Sequence, residues 1–282
     1  MEKIAIVTDS TADLPAALVR ELDITVVPLE VHFGEEIYKD WIDLGPRAFF
    51  EKLTSSPVHP RTSQPSPAEF EKAYRQLLER AATIFSIHIS AQLSGTYQSA
   101  VLAKGMLPGA DIEVLDSKTA SMGLGLVVLE AARAAQQGLG RDSVKQRVTD
   151  TVNKMNTLLT VDTLDYLHRN GRIGRAQHLM GTLLNVKPIL EVDRDGVVAP
   201  LDKVRGRQRV IPRLVELARE RVGAGASVKV AVIHANAPER AQELARAAAA
   251  AFEVKELYTS ELGAVIGTHV GPGTIGFAFF PT

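Results

Sequence analysis

The chain of 282 residues contains no cysteine. That absence excludes disulfide bonds, a thiolate nucleophile and cysteine-based zinc or iron–sulfur sites. The sequence also lacks an excess of charge of one sign, because 32 Lys and Arg residues nearly cancel 33 Asp and Glu residues and leave a formal net charge of −1. We therefore do not expect nucleic acid or an anionic membrane as a partner. We expect small molecules or other proteins.

Motifs for nucleotides and metals are missing as well. The sequence has no G-x-x-x-x-G-K-[ST] motif and no G-x-G-x-x-G motif after a strand-like segment. Its seven histidines show neither H-E-x-x-H nor another close metal-binding spacing. We therefore predict that the protein has no cofactor and no metal site.

Long apolar runs are absent too. No stretch of about 18 apolar residues occurs, so no membrane-spanning helix is predicted. The first residues, MEKIAIVTDS, enter a strand-like pattern directly and lack the basic start and long apolar stretch of a signal peptide. We expect a cytoplasmic protein.

The composition is that of a folded protein, with 45% hydrophobic and 23% charged residues. The length exceeds that of a usual single domain, which favours two domains that share a cleft, although one large α/β domain is also possible. A change of pattern near residue 156 suggests an N-terminal domain of residues 1–156 and a C-terminal domain of residues 157–282.

The N-terminal part alternates strands and helices. Apolar runs predict strands at 3–8, 83–89 and 111–116, and this alternation favours a mostly parallel sheet flanked by helices. Predicted helices cover about 46–54, 119–137 and 141–155, and another follows Thr96. A capping box at Ser66-Pro67-Ala68-Glu69 begins a helix that runs to about Arg80, and Asp13 with Pro15 predicts a capped helix to about Leu22.

The C-terminal part predicts an α/β domain with a mixed or antiparallel sheet. The pair Asp195-Gly196 lies between β-like runs and indicates a hairpin. The other predicted elements are a short helix that ends at HRNGRIG, helices at 175–184, 206–222 and 238–251, strands at 227–233 and 253–258, and the terminal GFAFF strand.

The segment Ser94-Gly95-Thr96 connects a predicted strand to a helix. In a parallel sheet this junction lies at the edge where ligands usually bind. Free N–H groups of the first helical turn and the hydroxyls of Ser94 and Thr96 can hold an anion, and Gly95 permits close approach. A carboxylate or a phosphate fits; the simpler interpretation is that Ser94 only caps the helix.

Two further loops carry similar chemistry. Thr62 and Ser63 precede the capped helix, so they can join Ser94 in gripping one anion, although ordinary turn chemistry also explains them. His269 is flanked by glycines in Gly267-Thr-His-Val-Gly271-Pro-Gly273, and its imidazole can donate to a carboxylate. Arg172 lies in a glycine-bounded loop, which makes it a candidate site residue. The alternative is that it is an ordinary solvated surface arginine.

A serine hydrolase is the enzymatic alternative, because Ser94, His269 and an aspartate such as Asp9 could form a triad. The serine lacks the glycine two residues before it that marks a nucleophile elbow, since the local sequence is Gln-Leu-Ser-Gly-Thr. We therefore favour ligand binding without catalysis.

Five segments together resemble the DegV family. They are VTDST from Val7, RTSQPS from Arg61, LSGT from Leu93, GRIG from Gly171 and HVGPG from His269, and they occur in order over essentially the full length. The resemblance implies a two-domain α/β protein that encloses a long-chain fatty acid between its domains. It also implies that several members serve as the acyl-carrying subunit of an ATP-dependent bacterial fatty acid kinase.

By that resemblance, the carboxylate-binding threonine, serine and histidine of the family fall on Thr62, Ser94 and His269. The neighbours Ser63, Gly95 and Thr96 are carried over with them. Arg172 falls on an arginine near the pocket mouth that is suited to helping a kinase partner. Where relatives often have a lysine- and glycine-rich turn, this chain has His168-Arg169-Asn170, which changes the charge of that surface. A lipid-transport or sensing protein without a kinase partner is the remaining alternative.

Overall fold

The computed structural model describes residues 3–181 and 186–282, which form an α/β fold with three sheets. The strands are β1 Ile4–Asp9, β2 Ile24–Val27, β3 Glu30–Phe33, β4 Glu36–Lys39, β5 Arg61–Ser63, β6 Thr83–His88, β7 Asp111–Asp116, β8 Asn156–Thr160, β9 Val186–Val192, β10 Val198–Arg205, β11 Ser227–His234, β12 Glu253–Glu261 and β13 Ile275–Pro281. The α-helices are α1 Ala16–Glu21, α2 Pro46–Ser55, α3 Pro67–Leu78, α4 Thr96–Gly105, α5 Met122–Gln136, α6 Arg141–Lys154, α7 Asp165–Arg169, α8 Val210–Val222, α9 Pro238–Ala251 and α10 Ala264–Val270. Three 3-10 helices cover Ser10–Ala12, Gly174–Leu179 and Arg207–Arg209.

The first sheet is parallel, as predicted, with strand order β2-β1-β6-β7. Side chains alternate across it because successive strand residues point to opposite faces. Val7 and Ile84 pack in the core beneath α3 and α4, whereas Ile6 and Phe85 face the core that contains α5. Burial on both faces explains why these strands read as continuous apolar runs.

The second sheet has the order β10-β9-β8-β13-β11-β12 and is mixed: β11 and β12 are parallel, and the other pairs are antiparallel. Val232 and Phe277 lie on the face covered by α8 and α9. Ile233 and Ala278 lie on the opposite face, in the same core as Ile6. The predicted hairpin is confirmed as the β9–β10 turn, where Gly196 has a φ of 82°.

Helix α5 lies between the two sheets and contacts strands of both. It is apolar on nearly every side, which is expected of a helix with no solvent-exposed face. Its two glycines allow close packing, since a Cβ at Gly125 would lie 2.8 Å from the carbonyl oxygen of Ala12. Strand β8, the first of the second sheet, begins at Asn156; the division of the chain into domains at this point stays a prediction.

The capping box of α3 is confirmed, with Ser66 Oγ accepting from Glu69 N at 3.3 Å and Glu69 Oε2 accepting from Ser66 N at 2.8 Å. The expected cap of α1 is wrong, because Pro15 precedes that helix and no side chain caps it. Asp13 instead has a left-handed backbone (φ 50°) and a fully buried carboxylate.

Two regions differ from the sequence prediction in a way that shapes the site. The segment with Thr62 and Ser63 was expected to be a loop, yet it contains β5, which pairs with β3 in a three-stranded antiparallel sheet. The glycine-rich segment around His269 was expected to be a loop, but His269 lies in the last turn of α10, which Gly271 ends with a φ of 73°. A helix of seven residues is too short for its periodicity to be recognised.

The helix predicted at 175–184 is replaced by the 3-10 helix Gly174–Leu179, and residues 182–184 lie outside the described residues. Within the two described ranges, no helix has the length and apolar character needed to cross a membrane. The same ranges contain no group of three His, Asp or Glu side chains placed to hold a metal ion.

Candidate functional site

An apolar cavity lies between the two large sheets, and residues from both halves of the chain line it. Its polar lining residues are Thr62, Gln64, Ser94, Ser121, Thr157, Arg172, His269 and Thr274. Its apolar lining residues are Leu29, Ile89, Leu93, Ala120, Leu159, Leu167, Val192, Val198, Ile233, Leu262, Val265, Ile266 and Val270. Such a lining, mostly apolar with a few polar groups, is typical of a small-molecule site.

Thr62 and His269 meet at this cavity although they lie 207 residues apart in the sequence. Thr62 is the middle residue of β5, and its Oγ1 lies 2.9 Å from Nε2 of His269 on α10. If Nε2 carries the proton, the Thr62 hydroxyl hydrogen is left to donate to a ligand; if Thr62 donates to Nε2, the N–H of Nδ1 is left. One donor of the pair therefore has no partner among the described residues in either tautomer.

The surroundings of His269 keep its imidazole neutral. Burial lowers its pKa from 6.5 to about 3, and the positive charge of Arg172 and the nearby His59 act in the same direction. Its Nδ1 atom is buried and has no hydrogen-bond partner in the described part of the chain. A buried polar atom without a hydrogen bond costs free energy of folding. We therefore interpret this imidazole as a functional group and not as a packing element.

Ser94 precedes α4, whose N-cap is Gly95, so the simple interpretation of Ser94 as the N-cap residue is off by one residue. Its Oγ lies 2.9 Å from Oγ1 of the fully buried Thr96 and accepts from Thr96 N at 3.3 Å. When Thr96 also donates its hydroxyl hydrogen to Ser94, the Ser94 hydroxyl hydrogen is available at the cavity wall. The N-terminal dipole of α4 adds a preference for negative charge.

The loops that carry Thr62 and Ser94 touch each other. The side chain of Gln64 lies so close to Gly95 that a Cβ there would be 2.9 Å from Gln64 Nε2. Gly95 therefore allows the amide of Gln64 to pack over the start of α4. This contact brings the β5 loop and the α4 loop to the same part of the cavity lining.

Arg172 supplies the positive charge of this site. Its Nε donates to the carbonyl oxygen of Leu93 at 3.1 Å and its Nη1 donates to the carbonyl oxygen of Asn170 at 2.7 Å. Within residues 3–181 and 186–282, both hydrogen bonds of the guanidinium are to backbone carbonyl oxygens, and no carboxylate is bonded to it. We name Thr62, Ser94, Arg172 and His269 the polar cluster of the cavity.

The other predicted site residues lie just outside the lining. Ser63 follows Thr62 on β5, so its side chain points to the other face of the strand, where its Oγ lies 2.9 Å from His32 Nε2 and donates to Glu30 Oε2 at 3.2 Å. Gly95 and Thr96 do not line the cavity themselves and instead support Gln64 and Ser94.

The triad proposed as an alternative is not assembled. Asp9 Oδ2 lies 2.9 Å from His88 Nδ1, not against His269, and Ser94 is bonded to Thr96. The Oγ of a different serine, Ser86, lies 2.7 Å from His88 Nε2, so Asp9, His88 and Ser86 form a hydrogen-bonded chain. All three side chains are 0% exposed. Since a nucleophile must reach its substrate, that sealed chain has no route to one.

The sequence did not reveal all of the polar lining. Gln64 lies inside a motif that was recognised, and its position two residues after Thr62 on the extended segment places both side chains on one face. Ser121, Thr157 and Thr274 gave no local signal, and each is hydrogen-bonded within the protein. The apolar lining residues resemble core residues in the sequence.

Comparison with known proteins bears on this site. The family model described as an uncharacterised protein of the DegV family matches residues 3–282. A DegV domain-containing protein of Deinococcus radiodurans is 41% identical over 99% of this chain and 98% of its own length. The structure of a DegV family protein from Thermus thermophilus, described by its fatty acid binding, matches with a TM-score of 0.95 and 37% identity over 99% of this chain and 100% of that one. A stearic acid-binding protein from Eubacterium ventriosum matches with a TM-score of 0.89 and 26% identity over 100% of this chain and 98% of that one.

Proposed function

The chain belongs to the DegV family, and from that premise we propose that it binds a long-chain fatty acid in its cavity and presents the carboxylate to a separate ATP-dependent fatty acid kinase. The product of that transfer would be an acyl phosphate. The observation that carries the proposal is the polar cluster at the wall of an apolar cavity. Among the described residues, the guanidinium of Arg172 is hydrogen-bonded to carbonyl oxygens, and the Thr62–His269 pair keeps one donor available for a ligand.

The apolar lining accounts for affinity. Burying one methylene contributes about 0.8 kcal/mol, so about 14 enclosed carbons supply about 10 kcal/mol of gross transfer free energy. Part of this offsets the lost freedom of the bound chain. A relative that binds stearic acid has the same fold over nearly its full length, which supports a ligand of this class.

The polar cluster accounts for the identity of the head group. A carboxylate taken out of water without partners is costly, whereas hydrogen bonds to a charged acceptor are the stronger kind. Thr62 and Ser94 offer hydroxyl donors, His269 fixes Thr62, and Arg172 contributes positive charge. A neutral imidazole donates or accepts without adding a second buried charge.

Arg172 also supports presentation to a kinase, because it is an exposed residue that lines the cavity. A phosphoryl group that arrives at the carboxylate would meet this guanidinium, and arginine is well suited to phosphate. A kinase that uses ATP would place the protein in the cytoplasm.

Native mass spectrometry of freshly purified protein, followed by denaturation and extraction, tests the ligand class. We expect one fatty acid per chain, and a clean empty protein would count against the proposal. The Thr62→Ala/Ser94→Ala double variant should lose labelled fatty acid, because it removes both hydroxyl donors. Ser63→Ala is the matched control, since it removes a neighbouring hydroxyl that points away from the cavity.

The kinase step needs its own test. Protein loaded with labelled fatty acid is mixed with ATP and each candidate kinase encoded alongside it, and acyl phosphate is measured. Arg172→Ala should reduce acyl phosphate formation more than it reduces fatty acid binding. If no kinase uses the loaded protein, a lipid-transport or sensing role replaces the kinase role while fatty acid binding stands.

A further inference from the structure

Helix α10 forms one wall of the cavity and is held at its start by two buried carboxylates. Gly263 N donates to Asp13 Oδ1 at 2.9 Å, and Ala264 N donates to Asp40 Oδ1 at 2.9 Å. Both aspartates are 0% exposed. The same short helix supplies Val265, Ile266, His269 and Val270 to the cavity lining.

The two carboxylates lie close to each other. A Cβ at Gly263 would be 2.9 Å from Asp13 Oδ1 and 3.0 Å from Asp40 Oδ1, so both oxygens surround one point. Two ionised carboxylates at such a separation repel strongly in a buried site. The hydrogen bonds they accept come from neutral donors: backbone N–H groups, Trp41 Nε1 at 3.3 Å and Ser121 Oγ at 2.6 Å.

The pKa values of both aspartates are raised, which favours their protonated forms. Burial raises the pKa of Asp13 to about 8, against the hydrogen bond from Ser121 and with the repulsion of Asp40. Burial likewise raises the pKa of Asp40 to about 7, against the hydrogen bonds from the N–H groups of Ala264 and Val265, and Asp9 adds repulsion.

Among the described residues, no cation forms a salt bridge with Asp13 or Asp40, and no cation lowers the pKa of either one. The elements packed against the pair carry Asp9 before the 3-10 helix, Lys39 and Asp43 beside Asp40, Glu261 at the end of β12, and His269 in the last turn of α10. The other neighbouring elements carry Glu30 and His32 on β3, Arg61 on β5, Arg47, Glu51 and Lys52 on α2, Glu130 and Arg133 on α5, and Asp165, His168 and Arg169 on α7. Asp9 is bonded to His88, Lys39 is exposed, and the His269 imidazole is neutral. Asp40 Oδ2 has no hydrogen-bond partner among the described residues.

We propose that Asp13 and Asp40 are positioning residues that form a protonation-dependent seat for α10, and that ionisation of the pair loosens this cavity wall and speeds release of the ligand. Protonated, the pair accepts the N–H groups of α10 without buried repulsion. Fully ionised, it holds two neighbouring negative charges that burial keeps from water, and moving α10 outward hydrates them at the cost of the N–H hydrogen bonds from the helix, which favour the ionised form less than burial disfavours it. The inference rests on the proposed function for its ligand, but the ionisation of the pair is measurable without one.

The sign follows from linkage. Both carboxyl groups have native pKa values above the ordinary 3.8, so the native state keeps protons that the unfolded chain releases. The stabilisation from the protonated pair is therefore fully present below pH 3.8, falls as the pH rises above that value, and is lost once the pH has passed through about 7 and about 8. His269 cannot cause a change in this range, because its pKa of about 3 lies far below it.

The chain provides a built-in probe, since Trp41 is its one tryptophan and donates to Asp13. The experiment records Trp41 fluorescence and the release rate of a labelled C18 fatty acid from one unit below to one unit above the pKa values of about 7 and 8. We expect a fluorescence step with its midpoint in that range and release that is about tenfold faster at the alkaline end, the change that corresponds to one pKa unit between seated and displaced states.

Three variants separate this role from general stability. Asp40→Asn keeps the acceptor for α10 without a titratable charge, so the pH dependence of release should flatten. Ser121→Ala removes a donor that favours ionised Asp13, so the fluorescence midpoint should move to higher pH. Asp43→Asn changes an exposed neighbour and should leave both profiles as in the parent protein.

A fluorescence and release profile that is flat in the parent protein, or one that Asp40→Asn and Ser121→Ala leave unchanged, would overturn the inference. If Asp40→Asn does not fold, the Ser121→Ala midpoint decides alone. If no variant, including the parent protein, binds fatty acid at any pH, the proposed function fails; the seat itself is then judged by the Trp41 titration.

Discussion

The molecule contains two hydroxyl–imidazole pairs with similar geometry and opposite surroundings. Ser86 and His88 lie 2.7 Å apart on the face of β6 that packs beneath α3, and Thr62 and His269 lie 2.9 Å apart at the cavity. We call them the sealed pair and the cavity pair. Their contrast separates a grouping that stabilises the fold from one that is available to a ligand.

In the sealed pair, the described hydrogen-bonding atoms are used. Tyr74 OH donates to Ser86 Oγ at 2.8 Å, and Asp9 holds the other ring nitrogen of His88 while also accepting from the N–H of Ile89 at 3.1 Å and from Thr11. In the cavity pair, Nδ1 of His269 has no hydrogen-bond partner in the part of the chain that the structure describes. Residue types alone do not distinguish the two pairs, but accessibility and unused donors do.

The largest expected effect comes from removing Asp9, which supports the sealed pair. Asp9→Ala leaves His88 and two buried N–H groups without their acceptor, and removing one side of such a buried contact costs about 3–5 kcal/mol. We expect urea unfolding to show that loss, while the folded fraction still binds fatty acid. Glu71→Ala, which breaks the exposed pair with Arg75, is the control and should change the free energy of unfolding by less than about 0.5 kcal/mol.

The cavity pair should make the stability of the protein depend on pH, because the imidazole of His269 is buried. The pKa of His269 is lowered from 6.5 to about 3, so as the pH falls below 6.5 the unfolded chain binds a proton that the native state does not. From pH 6.5 to about pH 5 this costs about 2 kcal/mol of stability. His269→Gln should remove that part of the slope in urea titrations at several pH values, and an unchanged slope would contradict the assigned surroundings.

A smaller effect is expected on binding at the cavity pair. Thr62→Ala removes one donor to the carboxylate, and a hydrogen bond to a charged group contributes about 1.5–3 kcal/mol, so fatty acid affinity should fall by at least about tenfold. Thr62→Ser keeps the hydroxyl and should retain most of the affinity in the same displacement assay. Equal affinities for the two variants would mean that the Thr62 hydroxyl does not bind the head group.

The smallest effect concerns Ser94. Ser94→Ala should change the free energy of unfolding by less than about 1 kcal/mol, because its hydroxyl bonds only to Thr96 within the described residues. Turnover of a model acyl ester should be absent both before and after this change. Steady turnover that Ser94→Ala abolishes would reverse the comparison and make the cavity pair catalytic.

Much of the fold was predictable because its signals are local. The strands at β1, β6, β7, β11 and β13, the capping box at Ser66 and the hairpin at Gly196 follow from periodicity, side-chain caps and turn chemistry. Two of the missed elements, β5 and α10, are three and seven residues long, and too few residues repeat for a pattern to emerge. These two elements carry cluster residues, Thr62 and His269.

The site was predictable in part. Thr62, Ser94, Arg172 and His269 were selected from motifs and a family resemblance, and they line one cavity. Ser63 was grouped with Thr62 because it is adjacent, but side chains alternate along β5 and Ser63 faces His32. The apolar lining residues could not be separated from the core, since both are buried and apolar.

By itself, the sequence determined which segments become strands and helices and which motifs carry hydroxyl and imidazole groups, because these depend on neighbours within a few positions. Only the tertiary structure decided that His269 meets Thr62 while Asp9 pairs with His88, and that Asp13 and Asp40 converge beneath α10. Such pairings depend on how two sheets pack around α5. Burial after packing decides which groups lack a hydrogen-bond partner and which have a pKa shifted toward the neutral form.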